Sequence, residues 1–419
     1  MKYKSRYLCF LLGGLAAIMS IQAQAVPSFA RQTGMACSAC HMIFLELTPF
    51  GRSFKLNGYT LSNIKQVEAK NSTEASGLQI DQIAPLSAML QITGTNTKSQ
   101  SPSSQISLPD QFSLFYAGAI SPHMGSFIQA TMGQGSGFEM DNVDIRYANH
   151  AGNVTYGVTL NNNPTVQDLW NSTPAWGYPW TGGAGVTAPI VADGLGQNVV
   201  GLGGYADWGN GFFTELSVYR DTNTFDAPSG AEVSAGVPQQ VRVRGLAPYW
   251  RLAWDKTLDN GDDLMVGAYG LQATLYATDP DAFYAGPADK YNDVAIDSQY
   301  IHPLANSSNT ISAHASYTSE KQTLDLTDPG NSPTLKSLRL DGTFHWGYHV
   351  AASLAYAVNS GSNVGDAYND KAWTLQASYL PWQNTKFTVQ YVKYTELAGM
   401  TDSNATDNNT LMLQGWLMW

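Results

Sequence analysis

From residue 85 onward the chain is a series of segments in which apolar and polar residues alternate, and this period of two constrains its fold more than any other feature. Such alternation is typical of β-strands that bury one face. Sixteen segments can be recognised, at residues 85–95, 112–121, 126–133, 138–148, 153–161, 198–207, 211–220, 246–256, 263–276, 292–301, 308–318, 335–346, 350–359, 372–380, 384–394 and 410–419. An even number is expected of a closed antiparallel barrel.

The connections between these segments alternate in length. Short turns are predicted at 121–125, 150–153, 207–211, 346–349 and 380–384, and longer loops at 161–197, 221–245, 277–291, 319–334 and 395–409. Transmembrane barrels have this alternation, whereas a water-soluble β-sandwich has the strands without it. The last segment also ends on an aromatic residue, Trp419. We therefore predict a mainly β protein, with a transmembrane, antiparallel, up-and-down β-barrel of about 16 strands over residues 81–419.

Residues 1–25 have the pattern of a secretory signal peptide. A basic start (Lys2, Lys4, Arg6) precedes an apolar run and an A-x-A cleavage site at residues 23–25. The run is too short for a permanent transmembrane helix. The segment holds no acidic residue, so the mature chain is more acidic than the net charge of −11 of the whole sequence. This negative net charge argues against nucleic acid as a partner and favours cationic partners.

Behind the signal lies Cys37-Ser38-Ala39-Cys40-His41, a C-x-x-C-H run. This is the attachment signature of a c-type haem. Cys37 and Cys40 can form thioethers to the haem vinyl groups, and His41 can bind the iron as the proximal ligand. A disulfide or a metal is the alternative, but zinc would need two further ligands, and residues 26–80 contain no other cysteine or histidine. One covalent haem c is the predicted cofactor.

Residues 26–62 are predicted to form a small α-helical c-type cytochrome unit around this motif, and residues 63–80 a polar linker. Apolar residues at mixed helical spacing follow the motif: Phe44, Leu45, Leu47, Phe50, Phe54, Leu56 and Tyr59. A unit this small hardly forms a core unaided, so a haem would be its hydrophobic centre. Sixteen strands leave a lumen that such a plug could enter.

Three stretches resemble one protein family: PSFARQTG at 27–34, the haem motif, and LTPFGRSFKLNGY at 47–59. They are similar to the outer-membrane fused monohaem cytochrome c–porins of iron-oxidising bacteria and their relatives. The resemblance covers residues 27–61, and the remainder corresponds in architecture only. It implies a bacterial outer-membrane barrel with its cytochrome on the periplasmic side or inside the lumen. It also implies that Cys37 and Cys40 attach the haem and that His41 is its proximal ligand.

The expected function is electron transfer across the outer membrane. Electrons from an extracellular donor, first of all Fe(II), would reach the haem and pass to periplasmic cytochromes. Two alternatives stay open: a haem-bearing porin for solutes with redox gating, or outward transfer to an extracellular acceptor. Apart from an Fe(II)-oxidising cytochrome activity, no catalytic constellation is predicted. Outer-membrane lipid is the other expected partner.

The distal ligand of the haem iron is not apparent near the motif, because Met35 and Met42 cannot easily reach the opposite face. Alternation places two barrel histidines, His314 and His345, on inward faces toward the periplasmic end. They are candidate distal ligands, with polar lumen lining as the alternative. The remaining histidines fall in or beside short turns and are expected on the surface: His123, His150, His302 and His349.

Two further groups are assigned to the outer loops. Ten acidic residues there could attract Fe²⁺ or be ordinary loop charge: Asp221, Asp226, Asp279, Asp281, Asp289, Glu320, Asp325, Asp328, Asp366 and Asp370. Four aromatic residues of the longest loop either cap the lumen or pack the loop: Trp170, Trp176, Tyr178 and Trp180.

Overall fold

The computed structural model describes residues 26–61, 85–133, 137–176, 186–226, 240–277, 286–362 and 368–419. The predicted signal peptide and the predicted linker at 63–80 lie outside these residues. Among the described residues, no helix is both long and apolar enough to cross a membrane.

Residues 26–61 form three short helices and one small hairpin: α1 (Pro27–Thr33), α2 (Cys37–Cys40), β1 (His41–Ile43), β2 (Glu46–Leu47) and α3 (Pro49–Leu56). Proline opens two of these helices, where its missing N–H costs nothing. Gly34, with φ of 69°, ends α1 in a left-handed conformation. The Thr48 side chain caps α3 by accepting a hydrogen bond from the Gly51 amide at 3.1 Å.

Sixteen long antiparallel strands form a closed barrel, as the alternation predicts, because the last strand pairs with the first. They are β3 (Leu86–Thr97), β4 (Ser104–Ser121), β5 (Met124–Gly133), β6 (Phe138–Ala151), β7 (Val154–Asn161), β8 (Val199–Trp208), β9 (Phe212–Asp221), β12 (Ala247–Thr257), β13 (Asp263–Ala277), β14 (Ala288–Pro303), β15 (Thr310–Leu324), β16 (Thr334–Trp346), β17 (Val350–Ser362), β18 (Asp370–Trp382), β19 (Thr385–Glu396) and β20 (Thr410–Met418). Strand β9 pairs directly with β12, since two short strands, β10 (Phe225–Asp226) and β11 (Gln240–Val243), lie in the connection between them.

Along each strand the two faces differ in chemistry. On β15 the inward residues Ser312, His314 and Ser316 are buried, while Ile311 and Tyr317 are exposed on the outside. Large apolar side chains cover the outer face of other strands in the same way: Leu202, Leu216, Leu252, Ile296 and Leu375. In water such a surface would promote aggregation, whereas in lipid it is the ordinary face of a barrel. The apolar outer surface therefore supports a membrane-spanning barrel.

Short turns alternate with long connections, as predicted. The turns β4–β5, β6–β7, β8–β9, β16–β17 and β18–β19 are tight, and the connections at the other end are longer. One of these longer connections, between β19 and β20, contains a short helix, α4 (Asp402–Thr406). By the barrel rule, the end with the short turns is periplasmic.

The longest connection, between β7 and β8, packs against inward-facing side chains of the barrel. Inward-facing carboxylates bind its backbone: the Val191 amide donates to Asp293 at 2.9 Å, and the Ile190 amide donates to Glu320. We call the described residues 162–176 and 186–198 the lumen loop. Beneath it lies an apolar cluster of loop and strand residues: Ile190, Val191, Leu195, Val199, Tyr219, Val241, Val243, Ala247, Tyr249, Tyr269, Leu271, Ala273, Leu275, Tyr291, Ala295 and Leu324. This side of the lumen is packed.

The prediction that ten acidic residues lie in outer loops is wrong for four of them, because the strands extend beyond their predicted ends. These four are buried on strands: Asp221, Asp289, Glu320 and Asp370. Asp221 pairs with Arg242 at 2.6 Å, and Asp289 accepts a hydrogen bond from the Leu326 amide at 2.8 Å. Asp325 and Asp328 are exposed, as predicted. Asp226 lies in β10, and the other predicted loop acids fall outside the described residues: Asp279, Asp281 and Asp366.

Candidate functional site

Helix α2 carries both cysteines of the C-x-x-C-H run and is held closely against α3. The Thr48 amide donates to the Cys40 carbonyl at 2.9 Å, and the Thr48 hydroxyl donates to the Ala39 carbonyl at 2.6 Å. Gly51 of α3 packs so close that a Cβ there would overlap the Cys40 carbonyl oxygen. The Cys37 amide donates to the Gln383 side chain of the β18–β19 turn at 2.9 Å. These contacts fix the motif relative to the barrel.

Cys37, Cys40 and His41 line one cavity of about 350 Å³. Its apolar walls come from both the N-terminal segment and the barrel: Phe29, Met35, Phe44, Leu47, Phe50, Phe54, Tyr59, Met89, Phe115, Phe127, Trp176, Trp416 and Met418. A mostly apolar cavity of this size with a few convergent polar groups is typical of a small-molecule or cofactor site. The cavity is the candidate functional site.

His41 is half-buried in this apolar setting. Burial lowers the pKa of His41 to about 4, against a smaller opposing effect of the Glu46 backbone, so the ring is neutral at physiological pH. Within the described part of the chain, its buried Nδ1 atom makes no hydrogen bond of ordinary geometry. Burial also raises the pKa of the Cys40 thiol to about 11. A neutral imidazole and two thiols therefore meet at one wall of the cavity.

The two predicted barrel histidines lie against Glu46 and do not line this cavity. The Glu46 carboxylate is 3.5 Å from His314 Nε2 and 3.3 Å from His345 Nε2. His314 also contacts Asp341 and Gln299, at 3.1 and 2.9 Å. Both side chains point inward, as the alternation predicts, but this position does not favour the predicted role of distal iron ligand.

The Glu46 carboxylate is fully buried and lies on β2, whose partner β1 begins at His41. Burial raises the pKa of Glu46, but the imidazole of His345, 3.3 Å away, and the charges of His345 and His314 lower it more, so the net pKa lies below the ordinary value. Glu46 is thus an anion that ties the hairpin of His41 to the barrel wall. The sequence offered no signal for this role, because the pairs join residues more than 250 positions apart.

Cations of the N-terminal segment also pair with the barrel and the lumen loop. Arg52 contacts the Asp263 carboxylate and lies 3.5 Å from Asp255. Lys55 donates to the Asp168 carbonyl of the lumen loop at 3.1 Å, and its ammonium lies 5.5 Å from the centre of the Trp176 ring. Burial, and secondarily the Arg146 charge, lower the pKa of Lys55 to about 8. Residues 26–61 thus lie against inward-facing side chains of the barrel.

Of the four aromatic residues predicted in the longest loop, two are described. Trp170 is buried against Phe213, and its indole N–H donates to Asp255 at 2.9 Å. Trp176 lines the cavity. Tyr178 and Trp180 lie outside the described residues. Among the remaining histidines, His123, His150 and His349 are exposed as predicted, and His302 is half-buried and paired with Asp262 at 2.6 Å.

Comparisons with known proteins identify the fold and nothing more specific. No protein-family model matches the chain. No curated protein matches it in sequence. Among solved structures it is similar to Salmonella typhi OmpF in complex with daunomycin, with a TM-score of 0.50 and 13% identity over 84% of this chain and 100% of that one. It also resembles an anion-selective porin from Comamonas acidovorans (TM-score 0.49, 13% identity, 80% and 98% covered). The chain therefore has a porin-like fold of sixteen antiparallel strands.

Proposed function

We propose that the chain is an outer-membrane electron-transfer protein that carries one covalent haem c in the cavity at Cys37, Cys40 and His41. The observation that carries the proposal is the convergence of these three side chains on one apolar cavity among inward-facing barrel residues. When bound, a c-type haem supplies an iron centre that takes up and releases single electrons.

The residues of the cavity fit this group. The thiols of Cys37 and Cys40 would hold it by adding across its two vinyl groups, and the neutral imidazole of His41 would bind the iron from the proximal side. Aromatic walls such as Phe44, Phe54 and Trp416 would exclude water. Glu46, through its contacts with His314 and His345, would hold the hairpin that bears His41. Haem is thus the cofactor class that this donor set and lining suit.

We propose Fe(II) as the extracellular donor and periplasmic cytochromes as the acceptors. The family resemblance of residues 27–61 supports this direction, and the acidic balance of the chain suits a cationic donor. Enzymatic activity would then be limited to the oxidation of Fe(II). Outward electron transfer to an extracellular acceptor would use the same residues. A measurement of the reduction potential of the haem distinguishes the two directions.

A haem-bearing porin with redox-gated solute passage is the second candidate, and the porin-like fold favours it. The packing of the lumen loop and of residues 26–61 against inward-facing side chains argues against a wide open pore. The two candidates differ in what crosses the membrane: electrons in the first, solutes in the second.

The test is made on purified protein reconstituted in liposomes. Aqueous Fe²⁺ is added outside, haem reduction is followed in the visible spectrum, and release of a trapped small sugar is measured in parallel. We expect reduction with little sugar release. The Cys37→Ala/Cys40→Ala chain, which cannot attach haem, is the matched control. Sugar release without haem reduction would favour the porin, and a purified chain without a haem spectrum would end both proposals.

A further inference from the structure

The cavity brings the haem motif against barrel side chains that could complete the coordination of an iron. Haem irons in proteins are held by histidine, cysteine, methionine or tyrosine side chains, and His41 would occupy one face of the ring. All seven histidines lie in the described residues, and only His41 lines the cavity. A protein ligand on the second face would therefore be another kind of donor.

The hydroxyl and amine donors in the described wall of the cavity are already engaged. The Tyr59 hydroxyl donates to Asp144 at 2.6 Å. The Lys55 ammonium donates to the Asp168 carbonyl at 3.1 Å, and with a pKa of about 8 it keeps its proton at neutral pH and offers no lone pair. The two cysteines would be used in attaching the ring. Three thioether sulfurs remain in the wall, those of Met35, Met89 and Met418.

Two of these methionines lie side by side on the barrel, near the end with the short turns. Met89 of β3 and Met418 of β20 are directly opposite in the strand register, so both side chains point to the same, inward face. The Met89 sulfur accepts a hydrogen bond from the Gln91 amide at 3.6 Å, whereas among the described residues the Met418 sulfur accepts none. Met418 is also the more exposed of the two, at 5% against 2%. Its sulfur is the less engaged donor.

One tight turn holds both Met418 and the haem motif. Gln383 of the β18–β19 turn accepts a hydrogen bond from the Cys37 amide at 2.9 Å. The next residue, Asn384, accepts from the Met418 amide at 2.9 Å and donates to the Met418 carbonyl at 2.7 Å. The backbone of Met418 is therefore fixed relative to Cys37 before any group is bound, and a preorganised ligand loses less entropy on binding.

Aromatic contacts connect His41 to the same strand. The ring centre of His41 lies 6.0 Å from that of Phe44, which lies 5.9 Å from that of Trp416. Trp416 precedes Met418 by two residues and so shares its inward face. Both belong to one apolar cluster with Phe44 and Cys37. His41 and Met418 thus border the same apolar region, one from the N-terminal segment and the other from the barrel.

We propose that Met418 is the distal ligand of the haem iron, so that strand β20 of the barrel completes the coordination that His41 begins. This rests on the proposed function, because the haem itself does. Paired with histidine, a methionine ligand raises the reduction potential of a c-type haem, which suits an acceptor of electrons from Fe(II). The potential of the iron would then depend on the folded barrel as well as on the motif.

The assignment is tested on the purified, haem-loaded, full-length chain. Met418→Leu removes the sulfur and keeps the volume of the side chain, a kind of swap that cores tolerate well. Met89→Leu and Met35→Leu are the matched controls. The oxidised protein should show the weak far-red absorption band of a ferric haem bound to methionine sulfur, and only Met418→Leu should lose it. A band that persists in Met418→Leu would overturn the assignment.

Binding of added imidazole gives a second readout on the same chains. Where a side chain occupies the distal position, imidazole binds only the fraction of molecules in which that position is open, and its apparent affinity is reduced accordingly. We expect Met418→Leu to bind imidazole about tenfold more tightly than the unsubstituted chain, and the two control variants to bind it no more tightly. Equal affinities in all four chains would contradict a Met418 ligand.

A measurement on the unsubstituted chain covers the case in which Met418→Leu does not fold. With isotope-labelled methionine methyl groups, the reduced, haem-loaded protein should show one methyl resonance shifted far upfield by the haem ring. A haem-loaded chain without such a resonance has no methionine ligand, and the assignment fails while the proposed function stands. A chain purified without any haem spectrum would instead count against the proposed function.

Discussion

At the scale of single residues, the N-terminal segment is positioned by charges that would be costly to bury alone. Glu46 lies between His314 and His345, and Arg52 lies against Asp263 and Asp255. An unpaired buried charge is strongly unfavourable, so these pairs favour one position of the segment over others.

His345→Ala should destabilise the protein by about 3 kcal/mol, because Glu46 would lose one of its two buried partners. His302→Ala is the control: its pair with Asp262 is half-exposed, and its loss should cost much less than that of His345. The free energy of unfolding in urea measures both. The haem spectrum of His345→Ala should match that of the unsubstituted chain. A change of spin state would instead restore His345 as the distal ligand.

Gly51→Ala should displace α3 from the haem motif, because the added Cβ would overlap the Cys40 carbonyl oxygen. Overpacking of this kind costs about 1–3 kcal/mol. We expect a lower thermal unfolding temperature and a lower ratio of haem to protein. Gly342→Ala is the matched control, since its Cβ would have its nearest neighbour at 3.9 Å. Full haem content in Gly51→Ala would contradict the close packing of α3 on Cys40.

The lowered pKa of Lys55 predicts that the stability of the protein rises at alkaline pH. Its pKa in the folded protein is about 8, below the ordinary value near 10.4, so between these pH values only the unfolded chain holds the proton. Stability therefore increases with pH across this window. Relative to Lys55→Met, with both chains carrying Cys37→Ala and Cys40→Ala, the free energy of unfolding should rise by up to about 3 kcal/mol from pH 7.5 to 10.5. Parallel pH profiles would refute the burial of the ammonium.

At the scale of elements, the lumen loop is held by strand carboxylates that accept hydrogen bonds from its backbone. The amides of Thr187, Ile190 and Val191 donate to carboxylates on three different strands. A loop tied in this way behaves as part of the barrel interior. The loop also bounds the candidate site, since Trp176 lines the cavity and Asn171 donates to the Leu45 carbonyl.

Glu320→Leu should loosen the lumen loop, because the buried Ile190 amide would lose its acceptor at a cost of about 1–3 kcal/mol. Single-channel conductance in planar bilayers should increase, and the loop should become accessible to protease from outside. Lys321→Ala, at the exposed neighbouring position, is the control and should behave as the unsubstituted chain. If both variants keep the same conductance, the loop is not held by Glu320.

At the scale of the whole molecule, the barrel and its N-terminal segment have separate structural roles. The barrel closes through the pairing of β20 with β3 and does not use residues 26–61 for any strand of its wall. The segment contacts inward-facing side chains of the barrel and supplies the motif residues. The two parts therefore depend on each other for the cavity and not for barrel closure.

Deletion of residues 26–61 should leave a folded barrel with a larger conductance and no bound haem. Folding can be followed by the change of electrophoretic mobility on heating. Conductance can be measured in planar bilayers. We expect conductance to increase several-fold, because side chains such as Arg52, Phe54 and Tyr59 would leave the lumen. The full-length Cys37→Ala/Cys40→Ala chain controls for loss of the haem alone. A deletion variant that conducts no better than this control would contradict a plug inside the lumen.

The sequence by itself determined the barrel and the local motif. Strand number, the direction of His314 and His345, and the alternation of turns and loops follow from local rules, because a period of two and a turn are properties of a few neighbouring residues. The juxtaposition of Cys37, Cys40 and His41 also follows from their spacing.

Only the tertiary structure decided what faces the motif. Three acidic residues predicted in loops lie buried on strands: Asp289, Glu320 and Asp370. The longest loop, which was predicted on the outside, packs against inward-facing side chains. Glu46 meets His345 across nearly 300 positions of the chain. Contacts of this kind depend on how distant strands close into a barrel and on which charges must be neutralised once water is excluded, and neither is encoded in any short stretch of sequence.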